Sequence, residues 1–82
     1  MKEKTLLKKI EIDFKVMVGK PVIKGTRLTV EFILNLLANG ATIEEIIEEY
    51  EGLTREDILA CFLFARRCLS ETEFMPLERE AA

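Results

Sequence analysis

The sequence GKPVIKGTRLTV, residues 19–30, joins an extended N-terminal segment to a helical remainder and decides the fold. Pro21 has no backbone N–H and fits an edge strand or the start of a strand, whereas Gly25 adopts positive φ at little steric cost. We therefore expect extended backbone after Pro21 and a turn near Gly25. That turn should present Thr26 and Arg27.

Apolar and polar residues alternate before this stretch, a pattern that predicts a half-buried strand. One face carries Ile10, Ile12, Phe14, Val16 and Val18, and the other carries Glu11, Asp13, Lys15 and Met17. Gly19 and Lys20 would turn this strand back onto residues 21–24 and so complete a short β-hairpin. We expect residues 1–9, which are polar at their start, to be frayed.

The first predicted helix follows the turn and runs over residues 30–38. Thr29 offers a hydroxyl N-cap, and Asn39 and Gly40 are residue types that close a helix at its C-terminus. The sequence therefore predicts both ends of this helix.

Two further helices begin at capping boxes, in which a side chain at each of two positions satisfies the backbone N–H of the other. Thr42 and Glu45 have this spacing at the second helix, and Thr54 and Asp57 have it at the third. The third helix should run to about residue 69. Its middle, residues 58–65, is apolar throughout, which predicts burial on nearly every side.

The predicted fold class is α+β, with a short N-terminal β-hairpin followed by a three-helix, helix-turn-helix-like (homeodomain-like) bundle. A short connection containing Gly52 links the last two helices, as in helix-turn-helix pairs. The chain should form a single domain, residues 1–82. Its parts are a hairpin arm at 10–29, the helical bundle at 30–69 and an acidic tail at 70–82.

Composition limits the classes of function. The 82 residues contain 49% hydrophobic and 33% charged residues and no His. No apolar run approaches the roughly 18 residues of a membrane span, and no signal-like N-terminus is visible, so we expect a cytoplasmic protein without membrane contact. With only Cys61 and Cys68 as soft ligands, we expect no metal and no other cofactor. Since no nucleophile stands beside a base, we expect no enzyme and no small-molecule substrate.

Charge is distributed unevenly along the chain. Residues 1–29 carry eight basic and three acidic side chains, a balance of +5. Residues 30–82 carry four basic and twelve acidic side chains, a balance of −8. The basic segment suits phosphate, whereas the acidic segment suits a basic protein surface.

Residues 19–65, GKPVIKGTRLTVEFILNLLANGATIEEIIEEYEGLTREDILACFLFA, resemble the prokaryotic family called domain of unknown function 433. The most specific part is G-x-P-x-I-x-G-T-R, which continues into the Gly40 turn and the LTRED segment at 53–57. The resemblance implies a compact helix-turn-helix-like fold behind a short β segment. Family members sit beside genes for nuclease-like toxins and resemble antitoxins, so the resemblance implies an antitoxin-like role.

Basic residues around the Gly25 turn are candidates for contact with phosphate or DNA. They are Lys15, Lys20, Lys24, Thr26 and Arg27. A two-stranded β-ribbon fits the major groove, and in a dimer two basic hairpins would combine. Two structural alternatives stand beside this interpretation: Thr26 closes the turn, and Arg27 holds a carboxylate such as Glu31 or one on the second helix.

The third helix is a weaker candidate for reading DNA. Its N-terminal residues include one Arg among two acids, Arg55, Glu56 and Asp57, which poorly matches a phosphate-lined groove. We expect this helix to form the core and a homodimer interface. The predicted interface residues are Cys61, Phe62, Leu63 and Phe64.

The acidic half offers a candidate surface for a basic nuclease-like toxin. On the second helix it comprises Glu44, Glu45, Glu48 and Glu49, and in the tail the apolar anchors Phe74, Met75 and Leu77. The alternatives are a solvated face and a tail folded back on its own dimer.

The leading hypothesis is an antitoxin-like regulator that neutralises a nuclease and binds operator double-stranded DNA through its basic ribbon. The alternatives are a stand-alone DNA-binding transcriptional regulator and an interaction module that binds no nucleic acid.

Overall fold

The computed structural model describes residues 3–12, 15 and 17–71. Their elements, in order, are α1 (Glu3–Leu7), β1 (Ile10–Ile12), a 3-10 helix (Met17–Gly19), β2 (Pro21–Ile23), α2 (Val30–Ala38), α3 (Ile43–Glu49) and α4 (Arg55–Ser70). The architecture is α+β, as predicted, with an N-terminal antiparallel hairpin and a helical bundle. Among the described residues, no helix is long and apolar enough to cross a membrane.

The first strand is shorter than its sequence pattern predicts. In the antiparallel ladder Ile10 pairs with Ile23 and Ile12 with Pro21, and β1 ends at Ile12. Because Met17–Gly19 form a 3-10 helix before β2, the hairpin is not closed by the predicted tight turn at Gly19 and Lys20. The prediction that Val18 lies on the buried face of the strand is wrong, because its side chain is 90% exposed. Phe14 and Val16 lie outside the described residues.

β2 lies in the middle of the β region. Beyond its pairing with β1, the Ile23 N–H donates to the Leu28 carbonyl at 2.9 Å, and Val22 forms a bridge with Thr29. The turn predicted at Gly25 is confirmed, because Gly25 has φ 83° and the Thr26 N–H donates to the Ile23 carbonyl at 3.0 Å. Val22 and Ile23 are consequently fully buried.

The N-terminal segment is a helix, which corrects the expectation of a frayed end. Helix α1 covers Glu3–Leu7 and buries Leu6 against the bundle. The Glu3 carboxylate accepts a hydrogen bond from the Arg66 guanidinium on α4 at 2.9 Å. Five residues have too little intrinsic helicity to fold alone, so α1 depends on its packing against α4.

The three predicted helices and their starts are confirmed. The Thr29 hydroxyl accepts the Phe32 N–H at 3.0 Å at the start of α2. Complete capping boxes begin α3, with Thr42 and Glu45, and α4, with Thr54 and Asp57.

Helix α4 is the centre of the fold, because α1, α2, α3 and β1 all pack against it. The core residues come from five separate parts of the chain: Ile23, Val30, Ile33, Ile46, Leu53, Ile58 and Cys61. This arrangement leaves the Gly25 turn, one face of α3 and parts of α4 facing solvent.

Candidate functional site

The Gly25 turn brings three of the predicted phosphate-binding residues together. Thr26 is used inside the turn, since its hydroxyl donates to the Ile23 carbonyl at 2.7 Å and accepts the Leu28 N–H at 3.0 Å. These contacts favour the structural alternative, in which Thr26 closes the turn. Lys24 and Arg27 flank it with exposed side chains.

The cations of the turn differ in their partners. The Lys20 ammonium lies 3.2 Å from the Glu31 carboxylate, so Glu31 is bound to Lys20 and not to Arg27. Within residues 3–12, 15 and 17–71, neither Lys24 nor Arg27 forms an ion pair, and Lys15 is exposed. Lys24 and Arg27 therefore present their charge to solvent.

The N-terminus of α4 is occupied by contacts within the chain. The Arg55 guanidinium donates to the Glu44 carboxylate at 3.2 Å, which joins α4 to α3. Asp57 accepts the Thr54 N–H at 3.0 Å and lies 3.7 Å from the Lys9 ammonium. Arg55, the one basic residue in the first turn of α4, therefore has an acidic partner within the chain. The spacing of Thr54 and Asp57 in the sequence predicted the capping box. Nothing in the sequence indicated the contact between Asp57 and Lys9.

Cys61 belongs to the core rather than to a dimer interface, which corrects that prediction. Its side chain is fully buried within the chain, so it has no surface to offer a second copy. Burial, with a smaller contribution from the nearby Asp57 carboxylate, raises the pKa of the Cys61 thiol to about 12. The thiol therefore stays protonated and unreactive at neutral pH.

The other predicted interface residues lie on two sides of α4. Phe62, which is 43% exposed, and Leu63 line an apolar hollow of about 310 Å³ together with Leu6 on α1. The ion pair between Glu3 and Arg66 borders it. Phe64 is half-buried and lines different hollows, so a single patch cannot hold all four residues.

The predicted acidic face of α3 divides into bound and unbound carboxylates. Glu44 pairs with Arg55, and the Glu45 carboxylate accepts the Thr42 N–H at 2.9 Å within the capping box. Glu48 and Glu49 are exposed, and no ion pair in the described part of the chain includes them. The tail anchors Phe74, Met75 and Leu77 lie outside the described residues.

No group of three His, Cys, Asp or Glu side chains among the described residues is placed to hold a metal ion. The described residues instead form charged and apolar surfaces, which are suited to contact with macromolecules.

Comparison with known proteins identifies the family. The family described as "Protein of unknown function (DUF433)" matches residues 10–65, which is more than half of the chain. The chain belongs to the DUF433 family. The resemblance seen in residues 19–65 is thereby confirmed.

A solved structure agrees with this assignment. The crystal structure of a DUF433 member protein from Anabaena variabilis ATCC 29413 is similar at 27% sequence identity and a TM-score of 0.73. The match covers 94% of this DUF433 chain and 71% of the other. A search of the curated proteins finds no match. The DUF433 range includes the hairpin, the Gly25 turn and most of α4, whereas α1 precedes it.

Proposed function

We propose that this DUF433 chain is an antitoxin-like regulator. Its acidic helical surface binds and neutralises a basic nuclease-type toxin, and its basic hairpin turn binds operator DNA. It acts in the cytoplasm as a homodimer, without a cofactor and without catalysis of its own.

The observation that carries this proposal is the separation of unpaired charges of opposite sign onto different elements. Lys24 and Arg27 lie on the Gly25 turn, and Glu48 and Glu49 lie on α3. Neighbouring charges on both elements, such as Lys20 and Glu44, are in ion pairs. Exposed charges without an internal partner supply the field that attracts and orients a charged macromolecule.

The acidic surface suits a nuclease because a nuclease cleft is positively charged where it holds the RNA backbone. Glu48 and Glu49 would meet that cleft, and the tail anchors Phe74, Met75 and Leu77 would add apolar contacts within an acidic segment. Charge complementarity of this kind raises the association rate and excludes wrong partners.

The homodimer in this proposal uses the hollow lined by Phe62, Leu63 and Leu6. Exposed apolar patches on small domains mark association sites, and a two-fold interface buries the same patch from both chains. We expect Phe62→Asp to give a monomer in sedimentation experiments. A stable wild-type monomer at micromolar concentration would contradict the dimer.

Co-expression of the chain with its neighbouring genes, followed by purification without a tag on this chain, tests the neutralising role. We expect a basic protein in stoichiometric amount whose nuclease activity appears after separation. The double variant Glu48→Lys/Glu49→Lys should release it. Glu11→Lys/Glu56→Lys is the control, since it makes the same change in net charge on β1 and α4, outside α3 and the tail. Equal retention by both variants would contradict a role for α3.

The second candidate is a stand-alone DNA-binding regulator, which the unpaired Lys24 and Arg27 favour independently of any toxin. It predicts that the protein elutes without a partner and binds DNA in a salt-dependent way. An interaction module, the third alternative, would elute with a partner or alone and bind no DNA at any salt concentration.

A further inference from the structure

A two-part apolar groove lies beside the C-terminal half of α4. Its first hollow, about 430 Å³, lies between α1, β1 and α4, and its second, about 400 Å³, lies between β2, α2 and α4. Phe64 and Cys68 line both hollows, so the two adjoin each other. We call this surface, with Ile12, Pro21, Leu34 and Leu69 among its lining residues, the C-terminal groove.

The C-terminal groove is incompletely covered by the described residues. Ile12 in the first hollow is 57% exposed, and Leu69 in the second is 68% exposed. Covering either side chain would remove further apolar surface from water, which is favourable. Contiguous exposed apolar surface on a small domain is typical of a binding site.

The position at which the described chain ends indicates the occupant. Glu71 is the C-cap of α4 and the last described residue, and it lines the first hollow. The sequence continues as TEFMPLEREAA, with apolar Phe74, Met75 and Leu77. An extended chain spans about 3.3–3.6 Å per residue, so Phe74 reaches roughly 10 Å and Leu77 roughly 20 Å from Glu71.

Charge also favours the tail as the occupant. Arg67 lines the first hollow with a half-exposed guanidinium, and its contact with the Glu3 carboxylate is long, at 3.9 Å. The tail sequence carries three further carboxylates, those of Glu73, Glu78 and Glu80, against one basic side chain, that of Arg79. An acidic segment with apolar anchors therefore complements an apolar groove whose first hollow carries the Arg67 guanidinium at its edge.

We propose that residues 72–82 dock onto the C-terminal groove of their own chain, with Phe74, Met75 and Leu77 as the apolar anchors. This proposal concerns the chain without a partner and does not depend on the proposed function. Under that function, the same anchors contact a nuclease, so the C-terminal groove and the nuclease compete for the tail. Binding of the nuclease then includes release of the tail from the groove.

Disulfide trapping in the full chain tests the docking. Cys68, which is exposed, lines the groove. The substitution Glu78→Cys adds a second thiol next to Leu77 and leaves all three apolar anchors in place. With oxidised glutathione at micromolar protein, we expect a disulfide within one chain, each bond consuming one glutathione disulfide. Cys61 does not compete, because it is fully buried with a pKa of about 12.

Two comparisons separate docking from chance encounter of a short tail. Adding Phe74→Ser and Leu77→Ser to Glu78→Cys should slow the disulfide at least about ten-fold, the effect of losing one buried apolar side chain. Leu69→Asp in the groove should also slow it. The matched variant Val18→Asp, at a 90% exposed apolar side chain that lines neither hollow, should not.

Three outcomes would overturn the proposal. Equal rates with and without the anchors would show that the tail reaches Cys68 by diffusion alone. A disulfide between two chains would assign the groove to a second copy. The absence of any disulfide would place the tail away from the groove.

Discussion

Asp57 is a nearly buried carboxylate whose two oxygens have different partners. One oxygen accepts the Thr54 N–H at 3.0 Å and starts α4, and the other lies 3.7 Å from the Lys9 ammonium at the end of the N-terminal segment. A single side chain therefore fixes a helix start and connects it to the hairpin. Cys61, one helical turn further along α4, lies in the core within reach of the Asp57 charge.

Replacing Asp57 by Ala should lower the free energy of unfolding by about 1–2 kcal/mol, because the Thr54 N–H loses its acceptor and the Lys9 ammonium loses its partner. Urea unfolding followed by circular dichroism measures the change. Glu56→Ala is the control, since Glu56 is the exposed neighbour in the same helical turn. An equal effect of both substitutions would contradict the role given to Asp57.

The two cysteines should differ in how fast a thiol reagent labels them. At pH 8 the native chain should label at exposed Cys68, whereas Cys61 should label only as fast as the chain unfolds, because its pKa of about 12 keeps it protonated. The unfolded state loses this proton at a lower pH than the native state does. Cys61 therefore destabilises the fold progressively as the pH rises from about 9 toward 12. Rapid labelling of two thiols in the native protein at pH 8 would contradict this assignment.

At the scale of elements, α4 organises the bundle and α1 completes it. Helix α1 packs against α4 through Leu6 and is tied to it by the contact between Glu3 and Arg66. The ion pair is exposed and contributes little, so the apolar contact of Leu6 holds α1 in place. The same helix walls both the hollow at Phe62 and the first hollow of the C-terminal groove.

Leu6→Ala should release α1 from α4 and cost roughly 2 kcal/mol or more of unfolding free energy. Hydrogen exchange should show lost protection at the Lys8 and Lys9 amides, which donate to the Lys4 and Leu6 carbonyls of α1, while α2 and α3 keep theirs. Lys4→Ala, an exposed substitution in the same helix, provides the comparison. Unchanged exchange at α1 in Leu6→Ala would mean that another contact holds it.

At the scale of the whole molecule, charge and apolar surface are separated. The Gly25 turn is basic, the outer face of α3 is acidic, and two apolar surfaces lie along α4. An 82-residue chain buries a limited share of its apolar surface, so uncovered hollows are a natural place for a second copy, a partner or its own tail.

DNA binding, if it uses the Gly25 turn, should respond to two side chains. Lys24→Ala/Arg27→Ala should reduce the slope of log affinity against log salt by about 2 per chain, since each lost phosphate contact removes about 0.9. Lys4→Ala/Lys8→Ala removes the same charge from the N-terminal segment and should change the slope less. Fluorescence anisotropy over a salt series measures both, and identical slopes would remove the turn from the interface.

The sequence by itself determined the local structure of this protein. Thr29, the two capping boxes and Gly25 were readable because caps and turns join residues two to four positions apart. The tertiary structure decided what depends on distant residues. Packing on α4 made a helix of Glu3–Leu7, and the pairing of Ile10–Ile12 with Pro21–Ile23 set the length of the hairpin. Pairing across 11 to 63 residues decided which charges remain exposed, because such contacts leave no periodic signal in the sequence.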